Sequence, residues 1–159
     1  MTNNFSTKVT QYLVSLGIEF TILPQDKPTT SIRETAAQRG ICTSQMVKSI
    51  LLKDMAKNYI LACIPGDQSV DPKKVRAALG CRRVTCASEA EIQSVTGYGL
   101  GTVNPLLLAQ KDITILFDPK LQQHPHVSIS SGNKHFGLAL SRLELERLCT
   151  LSWADICRD

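Results

Sequence analysis

Three groups of residues in this chain have types and spacing that could do chemistry: a lysine in an apolar run, a glycine-punctuated stretch and a serine-glycine turn. From Met46 to Leu52 an extended chain puts Lys48 on one face with Ile50 and Leu52, and Val47, Ser49, Leu51 and Lys53 on the other. One face is then apolar except for an ammonium. Such a group either snorkels to solvent from the strand's entry, or stands at the mouth of a cavity and meets a carbonyl, a phosphate or another anion.

The stretch Thr96-Gly-Tyr-Gly-Leu-Gly-Thr-Val-Asn-Pro105 holds three glycines and a proline in ten residues, too punctuated for a helix or a strand. A shaped loop of this kind is either a tight structural connection or a set of backbone N–H groups turned toward an oxygen. No Lys-Ser or Lys-Thr follows its last glycine, and the glycine spacing is not that of a dinucleotide-binding turn, so neither a nucleoside triphosphatase nor a Rossmann enzyme is supported. The third group is Ser130-Ser131-Gly132-Asn133-Lys134-His135. A hairpin turn explains that composition; alternatively Ser130 and Ser131 orient a substrate and His135 moves a proton.

Other chemistries lack their residues. There is no G-x-S-x-G elbow, and nothing in the spacing ties a cysteine to one of the three histidines. Cys81-x4-Cys86 and Cys149-x7-Cys157 lack zinc-type pairing and His124-Pro-His126 stands alone, so neither a metal nor a cofactor is expected.

The elements that must position these groups follow from local signals. Val9, Tyr12, Leu13 and Leu16 mark one face of a helix that Gly17 stops. A strand from Ile18 to Leu23 runs into the loop Gln25-Asp-Lys-Pro-Thr-Thr30, and Ser31 with Glu34 opens a helix that Gly40 closes. Met46 to Leu52 and Asn58 to Ile64 form a hairpin about a polar turn. Asp71-Pro72 starts a helix ending at Gly80, and Arg83 to Cys86 is a short strand. Ser88 and Glu91 open the next helix. Strands over Ile113 to Phe117, Val127 to Ser130 and Phe136 to Leu140 precede a last helix capped by Ser141 and Glu144.

The 159 residues, with 43% apolar and 20% charged, fit one globular domain over residues 1–159 and exclude a disordered, collagen-like or coiled-coil chain. The mixture of hairpins and helices is that of a single mixed α/β domain. No apolar run reaches the roughly 18–20 residues that span a bilayer, and the first residues carry no secretory signal, so a cytoplasmic protein without a membrane partner is expected. The six cysteines are then thiols, mostly buried. A net charge of +4 permits a polyanionic partner without demanding one.

In combination, Val47-Lys48-Ser49-Ile50-Leu51-Leu52, Asp71-Pro72-Lys73-Lys74-Val75 with Ala78-Leu79-Gly80, Thr96-Gly97-Tyr98 running into Gly101-Thr-Val-Asn-Pro105, and Ser130-Ser-Gly-Asn-Lys134 resemble the YbaK family, free-standing relatives of the editing domain of bacterial prolyl-tRNA synthetase. The resemblance runs from the first helix to Ala154-Asp155-Ile156. It implies a mixed β-barrel-like sheet flanked by helices and a trans-acting deacylase that takes a wrongly attached small amino acid, such as Cys or Ala, from tRNA. Lys48, Gly101 and Ser130 would be its catalytic positions, with Thr102, Pro105, Ser131, Gly132 and His135 around the substrate. The implied partners are the 3′ end of an aminoacyl-tRNA, tRNA(Pro) above all, and prolyl-tRNA synthetase or another synthetase; no oligomeric state is implied. A tRNA-binding module without turnover is the alternative. The sequence departs from the family pattern at Thr102, at Asn104 and at Asn133-Lys134-His135, all beside the proposed pocket.

Overall fold

The computed structural model describes residues 5–27, 29, 31–106, 108 and 111–159; residues 28 and 30 of the loop expected after Pro24 lie outside it. The elements are α1 (Lys8–Ser15), β1 (Phe20–Pro24), α2 (Ile32–Arg39), β2 (Val47–Asp54), β3 (Tyr59–Pro65), α3 (Pro72–Leu79), β4 (Val84–Cys86), α4 (Glu89–Thr96), β5 (Thr114–Phe117), β6 (His126–Ser130), β7 (Phe136–Ser141), α5 (Arg142–Leu148) and β8 (Leu151–Trp153).

The strands form a three-stranded antiparallel sheet, β1-β7-β6, and a five-stranded mixed sheet, β4-β2-β3-β5-β8. In the second, β2 pairs antiparallel with β3 and β4, while β3-β5 and β5-β8 are parallel. The sheets meet at a parallel bridge between Met46 and Ser128. They enclose the larger apolar cluster, which includes Val47, Leu51, Leu61, Phe117, Ile129, Phe136 and Leu138. On the other face of the mixed sheet, Leu52, Ile60 and Ile64 pack with Val75 of α3 and with Ile156 and Cys157. The barrel-like expectation therefore holds as two sheets wrapped on a shared core, with no closed barrel among the described residues.

Local chemistry fixes the helix ends. Ser88 accepts from the Glu91 N–H at 3.1 Å and Glu91 Oε1 accepts from the Ser88 N–H at 3.0 Å, the reciprocal capping box that the spacing implies. Asp71 caps α3 with Pro72 in its first turn. Thr7 and Thr10 form a further box on α1. At α5 the expectation fails, because Ser141 makes no side-chain cap hydrogen bond; its strand pairing with His126 carries the chain directly into the helix. The three-residue strand β8 is also beyond the sequence reading, since its partner β5 is parallel and distant in sequence.

The cysteines are all free thiols, yet only Cys63, Cys149 and Cys157 are buried; Cys81 is half-buried and Cys42 and Cys86 are exposed, which corrects the expectation of a mostly buried set. Burial pushes the Cys149 and Cys157 thiols up to about 12. The C-terminal segment is anchored by Asp118, whose Oδ2 accepts from the Ile156 and Cys157 N–H groups at 2.9 and 3.1 Å and whose Oδ1 accepts from Lys120 N at 2.8 Å.

Glu91 and Asp118 are among the carboxylates, with Asp54 and Asp159, that make the fold sensitive to acid. Glu91, held by the Lys53 ammonium at 2.8 Å and by its cap, is lowered to about 2. Burial alone would raise Asp118, but its backbone donors outweigh that and hold it below the ordinary carboxylate range. A depressed folded-state pKa contributes stability that is complete above the unfolded value and is lost as pH falls toward the folded one. Thermal unfolding should therefore show a melting temperature that drops from about pH 4.5 toward pH 2. Glu91→Gln should lower the neutral-pH melting temperature and flatten that acid slope; an unchanged slope would remove Glu91 from this account.

Candidate functional site

β2 and β6 belong to different sheets and touch where Met46 bridges Ser128. Residues paired in parallel share a face, and side chains alternate, so Lys48 and Ser130, each two residues past the bridge, are on that same face. Lys48 pairs across β3 with Ile64 and shares its face with Ile50 and Leu52, as the alternation requires. It is half-buried, and among the described residues no carboxylate lies within ion-pair distance of it. Desolvation lowers its pKa, against smaller opposing effects of Cys157 and the Asp67 carboxylate. The hinge of this junction is Gly66, whose N–H donates to Met46 O at 2.9 Å. A Cβ there would lie 2.6 Å from Thr43 O, so only glycine fits.

The glycine stretch is a shaped loop, as its composition demands. Gly97 ends α4 in the left-handed conformation, and Thr96 Oγ1 donates to Ile92 O and accepts from Tyr98 N. Thr102 closes the next turn by donating twice to Gly99 O, from N at 3.1 Å and Oγ1 at 2.9 Å. Gly101, at φ +85, is exposed, and its N–H has no acceptor among the described residues. Thr102, Val103, Asn104, Pro105 and Leu106 turn inward and are buried. Pro105 thus anchors the loop in the core.

Ser130 joins this loop to the sheet. Its hydroxyl donates to Thr102 O at 2.9 Å and accepts from Gly132 N at 3.1 Å. Both functions of the oxygen are used, so Ser130 positions the loop and has no proton to spare for nucleophilic attack in this arrangement. Ser131 is fully buried; its hydroxyl donates to Phe136 O at 2.7 Å and accepts from Asn133 N at 3.1 Å, which holds the turn. Gly132, at φ +90, lies under the Tyr98 ring. His135 is exposed at the far end of the turn, where its N–H donates to Asn133 Oδ1 at 2.8 Å and its carbonyl accepts from Gln25 N.

The structure therefore ties Thr102, Ser130 and Gly132 together through hydrogen bonds, with Gly101 next to Thr102 in the chain, while Lys48 and Ser130 each lie two residues past the Met46–Ser128 bridge. Ser131 belongs to the interior of the turn, and His135 to its outer tip. Sequence reading passed over Tyr98, which covers Gly132, and the burial of Asn104. Asn104 Oδ1 accepts from Leu106 N at 3.1 Å, but its fully buried Nδ2 finds no partner among the described residues. It also passed over Arg39, whose guanidinium lies on Gly137 beside Ser130. Nothing in a short polar helix marks such a residue in advance. Among the described residues no cluster of three His, Cys, Asp or Glu side chains could hold a metal ion.

Two substitutions probe this frame. Gly132→Ala forces an L-residue into a left-handed φ and places Cβ 2.9 Å from the Tyr98 ring, so denaturant unfolding should show a loss of about 1–2 kcal/mol. Tyr98→Ala should relieve the steric part in the double variant and leave the backbone part. Ser130→Ala strands the Thr102 carbonyl and the Gly132 N–H and should cost about 1–3 kcal/mol.

The chain has relatives among known proteins. Residues 26–148 match the family model for the aminoacyl-tRNA editing domain. The chain is 27% identical over 130 residues to the uncharacterized protein YwhH of Bacillus subtilis, covering 81% of this chain and 82% of that one. It is 25% identical over 126 residues to the Enterococcus faecalis protein named "Putative Cys-tRNA(Pro)/Cys-tRNA(Cys) deacylase EbsC", covering 79% and 76%. A proline–tRNA ligase of Desulfovibrio desulfuricans matches at 28% identity over 129 residues, 79% of this chain but 21% of the ligase. Among solved structures, hypothetical protein APE2540 superimposes with a TM-score of 0.86 at 28% identity over 96% of this chain and all of that one. With the family model spanning the loop, the turn and both strands of the junction, the chain belongs to the aminoacyl-tRNA editing domain family, the YbaK-type fold.

Proposed function

We propose that this protein is a trans-acting aminoacyl-tRNA deacylase that removes a mischarged small amino acid, Cys, Ala or similar, from tRNA, with tRNA(Pro) the first candidate. The observation that carries the reading is the exposed Gly101 N–H, without an acceptor among the described residues, on the loop that Ser130 holds, together with a half-buried Lys48 that forms no ion pair among them and lies, like Ser130, two residues past the bridge between the sheets. An aminoacyl ester is already activated, so a site can succeed by holding it and stabilising the charge that develops on its carbonyl oxygen. The Gly101 N–H suits that oxygen; the Lys48 ammonium suits the same oxygen or the phosphate of the terminal adenosine. Water adds to the carbonyl carbon, the bond to the ribose oxygen breaks, and the free amino acid and the ribose hydroxyl are released. Where the amino acid is cysteine, its own thiol can attack instead: the sulfur bonds to the carbonyl carbon as the bond to the ribose oxygen breaks, the thiol proton goes to that oxygen, and the amino acid leaves as a cyclic thiolactone.

No protein nucleophile is required, and none is offered by the site as it stands. The Ser130 hydroxyl is committed to the backbone on both sides. The buried cysteine thiols are held protonated by desolvation. The names carried by relatives, a Cys-tRNA(Pro)/Cys-tRNA(Cys) deacylase and proline–tRNA ligases, support the substrate class and a synthetase that delivers the tRNA. Thr102 and Asn104 stand where the wider pattern has Gly and Ser, so the size of the aminoacyl pocket is where this chain would set its own preference. Discrimination by one methylene there is worth about 1–3 kcal/mol.

Purified protein incubated with tRNAs charged separately with Cys, Ala, Ser and Pro should release one or two of these amino acids. No release from any of them, with tRNA binding retained, would replace the enzyme with a noncatalytic binding module. Lys48→Ala should reduce the rate by about 10²–10³ while leaving the melting curve in place; full activity in that variant would remove Lys48 from the site. With a net charge of +4, uncharged tRNA should bind weakly and more weakly still as salt rises, and a tight, salt-insensitive complex would contradict a pocket-centred mode of recognition.

A further inference from the structure

Among the described residues, Arg39 is a guanidinium without a carboxylate. It ends α2 and folds over β7, where a Cβ built on Gly137 would lie 2.3 Å from Nη1 and 2.8 Å from Cζ. Nη2 donates to Gln25 Oε1 at 3.1 Å, and Gln25 is itself fixed by donating to Lys27 O and Thr29 Oγ1. Nε is fully buried and has no partner among the described residues. Nη1 has no hydrogen-bond acceptor among the described residues and is not shut from solvent as Nε is. No described ion pair includes Arg39, and burial is the one influence on its pKa, which it lowers. Asp26 lines a groove of about 510 Å³ with Gln25 and His135, yet makes no ion pair with it. A desolvated cation held in this way is costly unless an anion completes it.

Its place in the sheet says where that anion would lie. Gly137 is the direct partner of Ser130 across β6 and β7, and directly opposed residues share a face with Cβ positions about 4.5–5.5 Å apart. Nη1 is therefore within about 8 Å of the Ser130 side chain. Lys48 flanks Ser130 from the other side. Across three neighbouring strands the order on one face is Arg39 over Gly137, then Ser130, then Lys48.

We propose that Arg39, through Nη1, binds a phosphate of the substrate on the Ser130 side of the site, opposite Lys48. This rests on the deacylase reading, and it names the substrate group. An ester on the last ribose of a nucleic acid always has that nucleotide's own phosphodiester as its nearest anion. A planar guanidinium matches the two unesterified oxygens of a phosphate better than a point charge does. Arg39 is then a binding residue that anchors the terminal nucleotide, while Lys48 is left for the reacting end.

Adenosine 5′-monophosphate and adenosine, titrated against the full chain by calorimetry or NMR, isolate the phosphate. The wild type should bind the monophosphate about tenfold tighter than the nucleoside. In Arg39→Leu that preference should fall to within about twofold with adenosine binding unchanged, and Arg39→Lys should recover part of it. Because Arg39 has no carboxylate partner, Arg39→Leu should melt at or above the wild-type temperature. Deacylation by Arg39→Leu should show a raised KM at unchanged kcat. A preference for the monophosphate that survives in Arg39→Leu, or its absence in the wild type, would overturn the proposal. So would a preference by Arg39 for an acidic aminoacyl group over the phosphate, or a fall in melting temperature that Arg39→Lys restores without restoring the preference. An Arg39-dependent phosphate preference in a protein that deacylates nothing would leave the phosphate site standing and remove the deacylase; active enzyme indifferent to Arg39 would do the reverse.

Discussion

The contact on which the rest of the molecule depends is the bridge between Met46 and Ser128, where one sheet is joined to the other. Its geometry leaves no room for a side chain at Gly66, whose N–H returns to Met46 O. Past that bridge the two strands continue in the same direction but in different sheets, so they can present a cation and a hydroxyl on the same face without burying both. A closed barrel would leave less freedom, since each strand would be paired along its length with a neighbour. The site is a product of this incomplete joining.

Around the junction, hydroxyls serve as ties. Thr96, Thr102, Ser130 and Ser131 each give their proton to a backbone carbonyl, at Ile92, Gly99, Thr102 and Phe136 respectively. Each such bond contributes only about 1 kcal/mol net, but leaving a buried partner unmade costs more than that. The loop is thereby held in one shape while the Gly101 N–H stays open. Rigidity in the frame and vacancy at one donor are the conditions for stabilising charge without reorganisation. This explains why residues that look reactive in the sequence act as frame in the structure.

Much of this was legible because it is local. The Ser88-Glu91 box, the Asp71-Pro72 start and the Gly80 stop are set by neighbours a few residues apart, and each forms as its spacing implies. Alternation alone put Lys48 on the face of Ile50 and Leu52. What escaped depends on contacts that spacing does not encode. Ser141 has the right residue for a cap, but its strand pairing takes the chain into α5 without one. Leu151–Trp153 becomes a strand only because β5 is beside it. Arg39 reads as an ordinary helical surface residue until β7 supplies a glycine small enough to receive it. The exposed Cys42 and Cys86 likewise follow from tertiary placement, since composition favours burial for cysteine in general.

The anchoring of the C-terminal segment bears on the order in which the molecule is assembled. Asp118 sits in the interior with Ile156 and Cys157 as donors, Asp71 N–H reaches Ile156 O, and Arg158 N–H reaches Ser69 O. Two of the mixed sheet's pairings are parallel and join strands far apart in the chain. Loop closure must precede any gain from such contacts, which places this topology among the slower folders. Until residues 151–158 arrive, the Asp118 carboxylate faces an apolar surface short of two of its donors and the outer core cluster lacks Ile156 and Cys157. Residues 151–158 therefore act as a latch: one short segment both covers the outer apolar cluster and completes the donors of a buried carboxylate, so neither can be finished without the other.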